Sequence, residues 1–405
     1  MFKKRTFLIL SLSAFGVMMG MGIIAPLMPL YAKNMGASGI WLGIIFSSYS
    51  LSRLLFVPLI GKISDRKGRK IVISIGLFLY SLFSLGYVFA DTVYWLTVVR
   101  FLQGFASAMT LPIIMAFIGD ISPEGEEGRY MGNFNVSRFL GMGLGPMLGG
   151  VMNDAWGINS AFYALSGITG LVFFLAVFFL PESETFTKKE NKKKKSKNVS
   201  FKQILKLKVM RGLLFFRLVS SLGRGSLMSF LSVYAFSFGI SPGKVGTILT
   251  LNILTLSFLQ MPFGRLADKI PKSRLIYGGG FLSVISLFLI PQTGSFILLL
   301  LFNIFWGSGR AMGIPATSAI NTMVGRKYGM GSSTGLYMTA SNAGMVLAPL
   351  ISGVLMQFVG IKWVFYFSGL AIAAGLLIFY TQVKGMDLNN PTASDKKNPL
   401  TQIKV

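Results

Sequence analysis

Long apolar runs alternate with short polar stretches, and the runs recur twelve times. They lie near 6–31, 40–60, 70–90, 93–118, 130–153, 160–181, 209–238, 243–263, 273–291, 295–322, 331–357 and 362–383. Each is long enough to cross a hydrocarbon core of about 30 Å as a helix. A spanning backbone in lipid must satisfy its own hydrogen bonds, so helices are the expected form. Several runs exceed the minimum, which predicts tilt or kinks at Pro112, Pro146, Pro315 and Pro349. The first run carries Pro26 and Pro29 and no small-residue cleavage site, and so reads as a span, not a cleaved signal peptide.

The polar stretches orient the spans. With the N-terminus inside, the inner segments hold Lys3, Lys4, Arg5, the 62–70, 188–208 and 265–274 clusters, Arg326, Lys327 and the tail. The outer loops hold Lys33, Lys244 and Lys362. That asymmetry places both termini in the cytoplasm. The one long hydrophilic break, Pro181 to Lys208, divides the chain. The predicted organisation is a six-helix bundle over 1–181, a basic cytoplasmic linker over 182–208, a second six-helix bundle over 209–383, and a cytoplasmic tail over 384–405.

The two bundles repeat. A shift of 203 residues, without a gap, lays Tyr31–Ala32 on Tyr234–Ala235, Gly36 on Gly239, and Gly61 and Asp65 on Gly264 and Asp268. It also lays Gly104, Ala108, Met109 and Pro112 on Gly307, Ala311, Met312 and Pro315. Gly141, Met142, Pro146 and Gly150 fall on Gly344, Met345, Pro349 and Gly353. An even number of spans per half gives two repeats of one orientation, related by an axis along the membrane normal. Such a plan places a substrate site near mid-depth.

Composition narrows the chemistry. Residues are 53% apolar and 13% charged, and there is neither cysteine nor histidine. That removes most zinc, haem and iron–sulfur ligand sets and the usual nucleophile triads, so no catalytic residue, metal site or cofactor is expected. The net charge of +26 sits in loops without interleaved aromatic side chains. It therefore reads as a face against anionic lipid and not as a nucleic-acid surface. The expected partners are a small molecule and the bilayer, with the protein a monomer in a cytoplasmic, bacterial membrane.

Three motifs stand out. Gly61-Lys62-Ile63-Ser64-Asp65-Arg66-Lys67-Gly68-Arg69-Lys70 follows the second span and reads as a tight turn that needs its glycines, with one acid among basic residues able to grip an arginine or a helix N-terminus. Arg100-Phe101-Leu102-Gln103-Gly104 lies in the fourth span. In the fifth, Gly141, Gly145 and Gly149 recur every four residues, with Pro146 and Gly150 beside them. Glycines at that spacing let another helix approach closely.

These runs resemble the loop motif, the fourth-helix arginine motif and the fifth-helix glycine–proline signature of the major facilitator superfamily, the last as in its twelve-span drug:proton antiporters. The resemblance implies two six-helix bundles that work by alternating access. It implies a gating role for Gly61, Asp65, Arg66, Gly68 and Arg69, with Asp120 joining their network through Arg69. It further implies motif roles for Arg100, Gln103 and Gly104, and for Gly141, Gly145, Pro146, Gly149 and Gly150.

Charge at depth departs from that pattern. Arg53, Arg100, Arg138, Arg217, Arg224 and Arg310 lie within spans, whereas no Asp or Glu lies centrally in one. Charge inside a membrane is costly and usually functional. Arg138, Arg224 and Arg310, with Tyr31, Tyr234, Asn252 and Asn342, are the candidate substrate-binding residues. Guanidinium groups favour a carboxylate, phosphate or sulfonate. The expected function is secondary active export of an amphipathic or anionic organic compound, with proton antiport down a proton gradient as one route of coupling, through Asp65, Asp120 or Asp154 or through a proton carried by the substrate. The alternatives are an organic-anion importer or facilitator of the same fold, and a non-transporting membrane receptor or scaffold.

Overall fold

The computed structural model describes residues 2–123, 126–182, 201–386 and 388. Most of the predicted linker and nearly all of the tail lie outside the described residues. The helices are α1 (Phe2–Asn34), α2 (Gly39–Lys67), α3 (Arg69–Gly86), α4 (Val93–Ile121), α5 (Glu127–Trp156), α6 (Ile158–Phe179), α7 (Phe201–Lys206), α8 (Lys208–Phe236), α9 (Pro242–Lys269), α10 (Lys272–Leu289), α11 (Phe296–Tyr328), α12 (Met330–Phe358) and α13 (Ile361–Val383). No strand occurs among the described residues. The short α7 precedes the seventh predicted span, so spans seven to twelve are α8 to α13.

Ten of these helices are both long and apolar enough to cross a membrane. The other two of spanning length are α5 and α8, with 30 and 29 residues. Their polar content has a clear source: α5 carries Asn135, Arg138 and Asp154, and α8 carries Arg211, Arg217 and Arg224. The twelve long helices make an all-α membrane fold. Helix is continuous through Pro112, Pro146, Pro315 and Pro349.

Two compact units form. The first holds α1 to α6 together with Met228–Leu254 and Ser352–Gln357, the adjoining ends of α8, α9 and α12. The second holds the described residues up to Leu227, Thr255–Ile351, and those from Phe358 on. The six-plus-six division belongs to the sequence; the units cut across it at those three helix ends.

Close backbone approach builds both units. In the first, α5 runs along α1 in the same direction. A Cβ on Gly141 would meet the Phe15 carbonyl, one on Gly145 the Met19 carbonyl, and one on Gly149 the Ile23 carbonyl at 2.5 Å. Lipid offers no hydrophobic drive for helices to associate, so packing at this range supplies much of the cohesion. Met19, Ile23 and Leu27 of α1 close against Ala161 of α6, with Phe15, Ile158 and Ile168 around them.

The same contacts recur in the second unit at the 203-residue shift. A Cβ on Gly344 would meet the Leu218 carbonyl, as Gly141 meets that of Phe15. One on Gly76 would lie 2.6 Å from the Met109 Cβ, and one on Gly279 lies 2.9 Å from that of Met312. The turn glycines correspond as well: Gly157 and Gly360 have φ of 78° and 110°, a region open to glycine at little cost. The duplication thus extends to individual atomic contacts.

Gly279→Val forces a branched side chain into Met312 and the Gly309 carbonyl, and is expected to destabilise the protein by about 1–3 kcal/mol. Gly264→Ala, with nothing within 4 Å of its Cβ, is expected to change stability by less than about 1 kcal/mol. Thermal unfolding in detergent checks both; equal effects would contradict the packing account.

Candidate functional site

The motif after the second span is mostly helix. α2 runs through Lys67, and the break falls at Gly68, with φ 106°. Gly61 is helical with open space around it, so the expected turn role belongs to Gly68 alone. The reason is that α2 and α3 need only one left-handed residue between them.

That single-residue break swings Arg69 inward, where it is 8% exposed. Its Nη2 lies 2.8 Å from the Asp65 carboxylate, its Nε donates to Asp120 Oδ2 at 3.0 Å, and its Nη1 donates to Ser64 Oγ at 3.1 Å. One guanidinium therefore ties the end of α2 and the end of α4 to the start of α3. The two acids differ: the Asp65 side chain is 62% exposed and that of Asp120 13%. Arg66 is exposed.

The fourth-helix motif forms a second station in the same unit. Arg100 is buried, and its Nη1 donates to Gln103 Oε1 at 3.2 Å. The Gln103 amide also accepts from the Tyr87 hydroxyl, and its Nε2 donates to Ser84 Oγ. The Arg100 guanidinium faces the Tyr49 ring at 5.0 Å and the Phe46 ring at 5.5 Å. Gly104 lets α4 close on α2, where a Cβ would lie 2.5 Å from the Tyr49 carbonyl oxygen. A buried charge is held here by rings and an amide.

At the far end of α5 the glycine motif meets α9. A Cβ on Gly150 would strike the Pro242 carbonyl, and one on Gly246 that of Pro146. The Gly243 N–H donates to Asp154 Oδ2 at 2.9 Å, while Lys244 N–H bonds Ser241 Oγ and Val245 N–H bonds the Ser241 carbonyl. Pro242 has no N–H, so Asp154 completes the cap of a helix from the other sequence half.

The second unit holds a pocket lined by Arg217, Arg224, Arg310, Trp306, Ser220 and Ser283, among others, with no Asp or Glu in its lining. Its volume is about 40 Å³. Arg217 and Arg224 sit two turns apart on one face of α8. Gly279 and Gly309 bring α10 against α11, which sets the opposite wall. Arg310 lies over the Trp306 ring at 4.6 Å, and Arg217 over the Tyr337 ring at 4.8 Å. The Tyr337 hydroxyl is fixed in turn by Thr317 at 2.9 Å.

The other candidate residues lie elsewhere. Tyr31 donates to the carbonyls of Tyr87 and Ala90 at 2.7 and 2.9 Å, a tie between α1 and the α3–α4 turn. Arg138 donates to Asn135, one turn away on α5. Tyr234 and Asn252 are buried within the first unit, and Asn342 is exposed. Sequence reasoning named Arg217 but left it out of the binding set, and missed Trp306. The available signal was helical spacing: Trp306 lies four residues before Arg310.

The Major Facilitator Superfamily model matches residues 10–222 and again residues 213–405. The chain belongs to the Major Facilitator Superfamily. It is 29% identical over 380 residues to an uncharacterized MFS-type transporter of Methanocaldococcus jannaschii, covering 93% of this chain and 98% of that one. It is 26% identical over 380 residues to multidrug resistance protein 2 of Bacillus subtilis, covering 92% and 94%. In fold it matches the crystal structure of a bacterial homolog of the human lysosomal transporter Spinster in an inward-facing, unoccupied conformation. There the TM-score is 0.83 at 13% identity, over 96% of this chain and 98% of the other. This superfamily consists of transporters, so the protein is a multi-pass membrane transporter and not an enzyme.

Within this superfamily member, Arg69→Ala removes the guanidinium from the Asp65 and Asp120 carboxylates, and a loss of roughly 2–4 kcal/mol is expected in thermal unfolding. Asp65→Asn, at an exposed side chain, is expected to leave stability and ligand affinity near wild type but to cut transport turnover. Normal turnover in Asp65→Asn would sink its gating assignment.

Proposed function

We propose that this transporter exports amphipathic organic compounds bearing an anionic group, by alternating access and in exchange for protons. The observation that carries the reading is the pocket in which Arg217, Arg224 and Arg310 converge with no carboxylate among the lining residues. Guanidinium groups clustered this way attract anions and repel cations, and a planar fork matches an oxyanion in a two-pronged contact. Phe216, Ile314 and Ile372 lie in the same lining and suit the apolar atoms next to a charged headgroup. The fifth-helix glycine motif and the multidrug-resistance relatives favour export.

Proton coupling in this reading uses Asp154. Its carboxylate caps α9 from α5 at 2.9 Å, and a proton there removes the charge that holds the contact. The basic residues of the α2–α3 junction support a cytoplasmic position for it, and in this reading Asp154 faces outside, where an inward-driven proton first arrives. Both termini are then cytoplasmic, and the chain works as a monomer in the cell membrane.

The test is flux into liposomes of matched anionic and cationic amphiphiles, with and without a pH gradient. Anion-selective, gradient-driven flux is expected, reduced at least about tenfold by Arg310→Gln, the size of one lost charged contact. Cation-selective flux insensitive to Arg310→Gln would overturn the reading. Gradient-independent anion flux would leave a facilitator in place of an antiporter.

A further inference from the structure

Three cationic groups in one small pocket set a charge requirement beyond that of an anion in general. Resting on the anionic reading of the cargo, we propose that this pocket selects a doubly charged tetrahedral headgroup, a phosphate monoester or phosphonate, and that Arg217 and Trp306 are part of the selecting set.

The first argument is charge. Arg217, Arg224 and Arg310 line the pocket, and no acid does. Like charges in a medium of low dielectric repel strongly. A carboxylate or sulfonate cancels one of the three, and a dianion cancels two. The chain has no histidine, and arginine keeps its proton, so the protein cannot relieve the excess by titrating. A dianionic ligand supplies more of that relief than a monoanion does.

The second is the donor inventory. Arg217 Nε and Trp306 Nε1 are buried without an acceptor, and Trp306 is 1% exposed. An indole N–H only donates, and a guanidinium has five donors and no acceptor. Buried donors without partners are costly. Three phosphate oxygens offer more lone pairs to converging donors than two carboxylate oxygens do. The hydroxyl groups of Ser220 and Ser221 lie in the same lining.

The third is shape. Gly279, Gly280, Gly309 and Gly313 contribute backbone alone to the lining. The volume of about 40 Å³ admits a headgroup and falls far below the roughly 300–1,000 Å³ of sites that enclose a whole drug-sized molecule. The Trp306 and Tyr337 rings hold two of the guanidinium planes in place before any ligand arrives.

The experiment is calorimetric binding to the purified full-length protein, using 1-naphthyl phosphate, 1-naphthalenesulfonate and 1-naphthylmethylammonium as probes of one body and three charges. The second pKa of a phosphate monoester is about 6, so the dianion dominates near pH 7.5 and is roughly a tenth of the total near pH 5. The phosphate is expected to bind at least about tenfold more tightly than the sulfonate near pH 7.5 and to lose about tenfold near pH 5, with the sulfonate flat. Arg217→Gln is expected to erase the phosphate's advantage over the sulfonate when both are measured on that variant; the wild-type pH profile stands whether or not that variant folds. A lysophosphatidate competitor separates the sources. Displacement of naphthyl phosphate supports a lipid-derived headgroup, and failure to displace supports a water-soluble one, with the dianion site upheld in both cases. Equal, pH-independent affinity for phosphate and sulfonate would overturn the dianion inference and leave the anionic cargo intact. Preference for the ammonium probe would overturn both.

Discussion

A buried guanidinium cannot be left alone, and most of the chemistry of this transporter follows from how its arginines are met. Burial of an uncompensated charge is expensive. Arg69 is met by two carboxylates and a hydroxyl. Arg100 is met by the Gln103 amide and by the faces of Tyr49 and Phe46. In the second unit, Arg217, Arg224 and Arg310 share a pocket with rings and hydroxyl groups but no acid. The first arrangement is closed by carboxylates, and the second rests on an amide and two rings, with Arg100 Nε left without an acceptor. The third is the one proposed to take up an anion from outside the protein.

The duplication makes the contrast sharper. Glycine contacts recur at the 203-residue shift down to the carbonyl they touch, as with Gly141 on Phe15 and Gly344 on Leu218. The arginines within the spans do not recur, although the junction charges such as Asp65 and Asp268 do. Arg217, Arg224 and Arg310 correspond to Ala14, Met21 and Ser107, and Arg53, Arg100 and Arg138 to Leu256, Asn303 and Ser341. Packing is therefore the inherited part, and charge within the spans the part in which the halves diverged. A scaffold that needs both halves to pack alike can still carry its binding chemistry on one of them, since a polar side chain facing a pocket leaves helix contacts unchanged.

The helices were legible because each is a long apolar run, and the repeat because its glycines are fixed by backbone approach. The α2–α3 junction was harder. Gly61 and Gly68 look alike in sequence, yet only Gly68 has a positive φ, because helix capping and not composition decides where α2 stops. Tyr31 looked like a ligand group, but its hydroxyl already serves two carbonyls; hydrogen-bond partners between distant helices leave no trace in spacing. Arg224 and Arg310 were visible as costly residues. That Arg217 joins them depends on the α8, α10 and α11 packing, which no local pattern records. Asp154 as a cap for α9 spans 89 residues of chain, and only the fold brings the two together.

The central claim is that the arginine pocket accepts negative charge directly. Solid-supported membrane electrophysiology measures this in one step, as the charge displaced when a ligand is pulsed onto the protein before turnover. The account predicts a displacement of the sign of an entering anion with 1-naphthyl phosphate, lost in Arg310→Gln, and none with 1-naphthylmethylammonium. A displacement with the ammonium probe, or one with the phosphate that survives in Arg310→Gln, would contradict it.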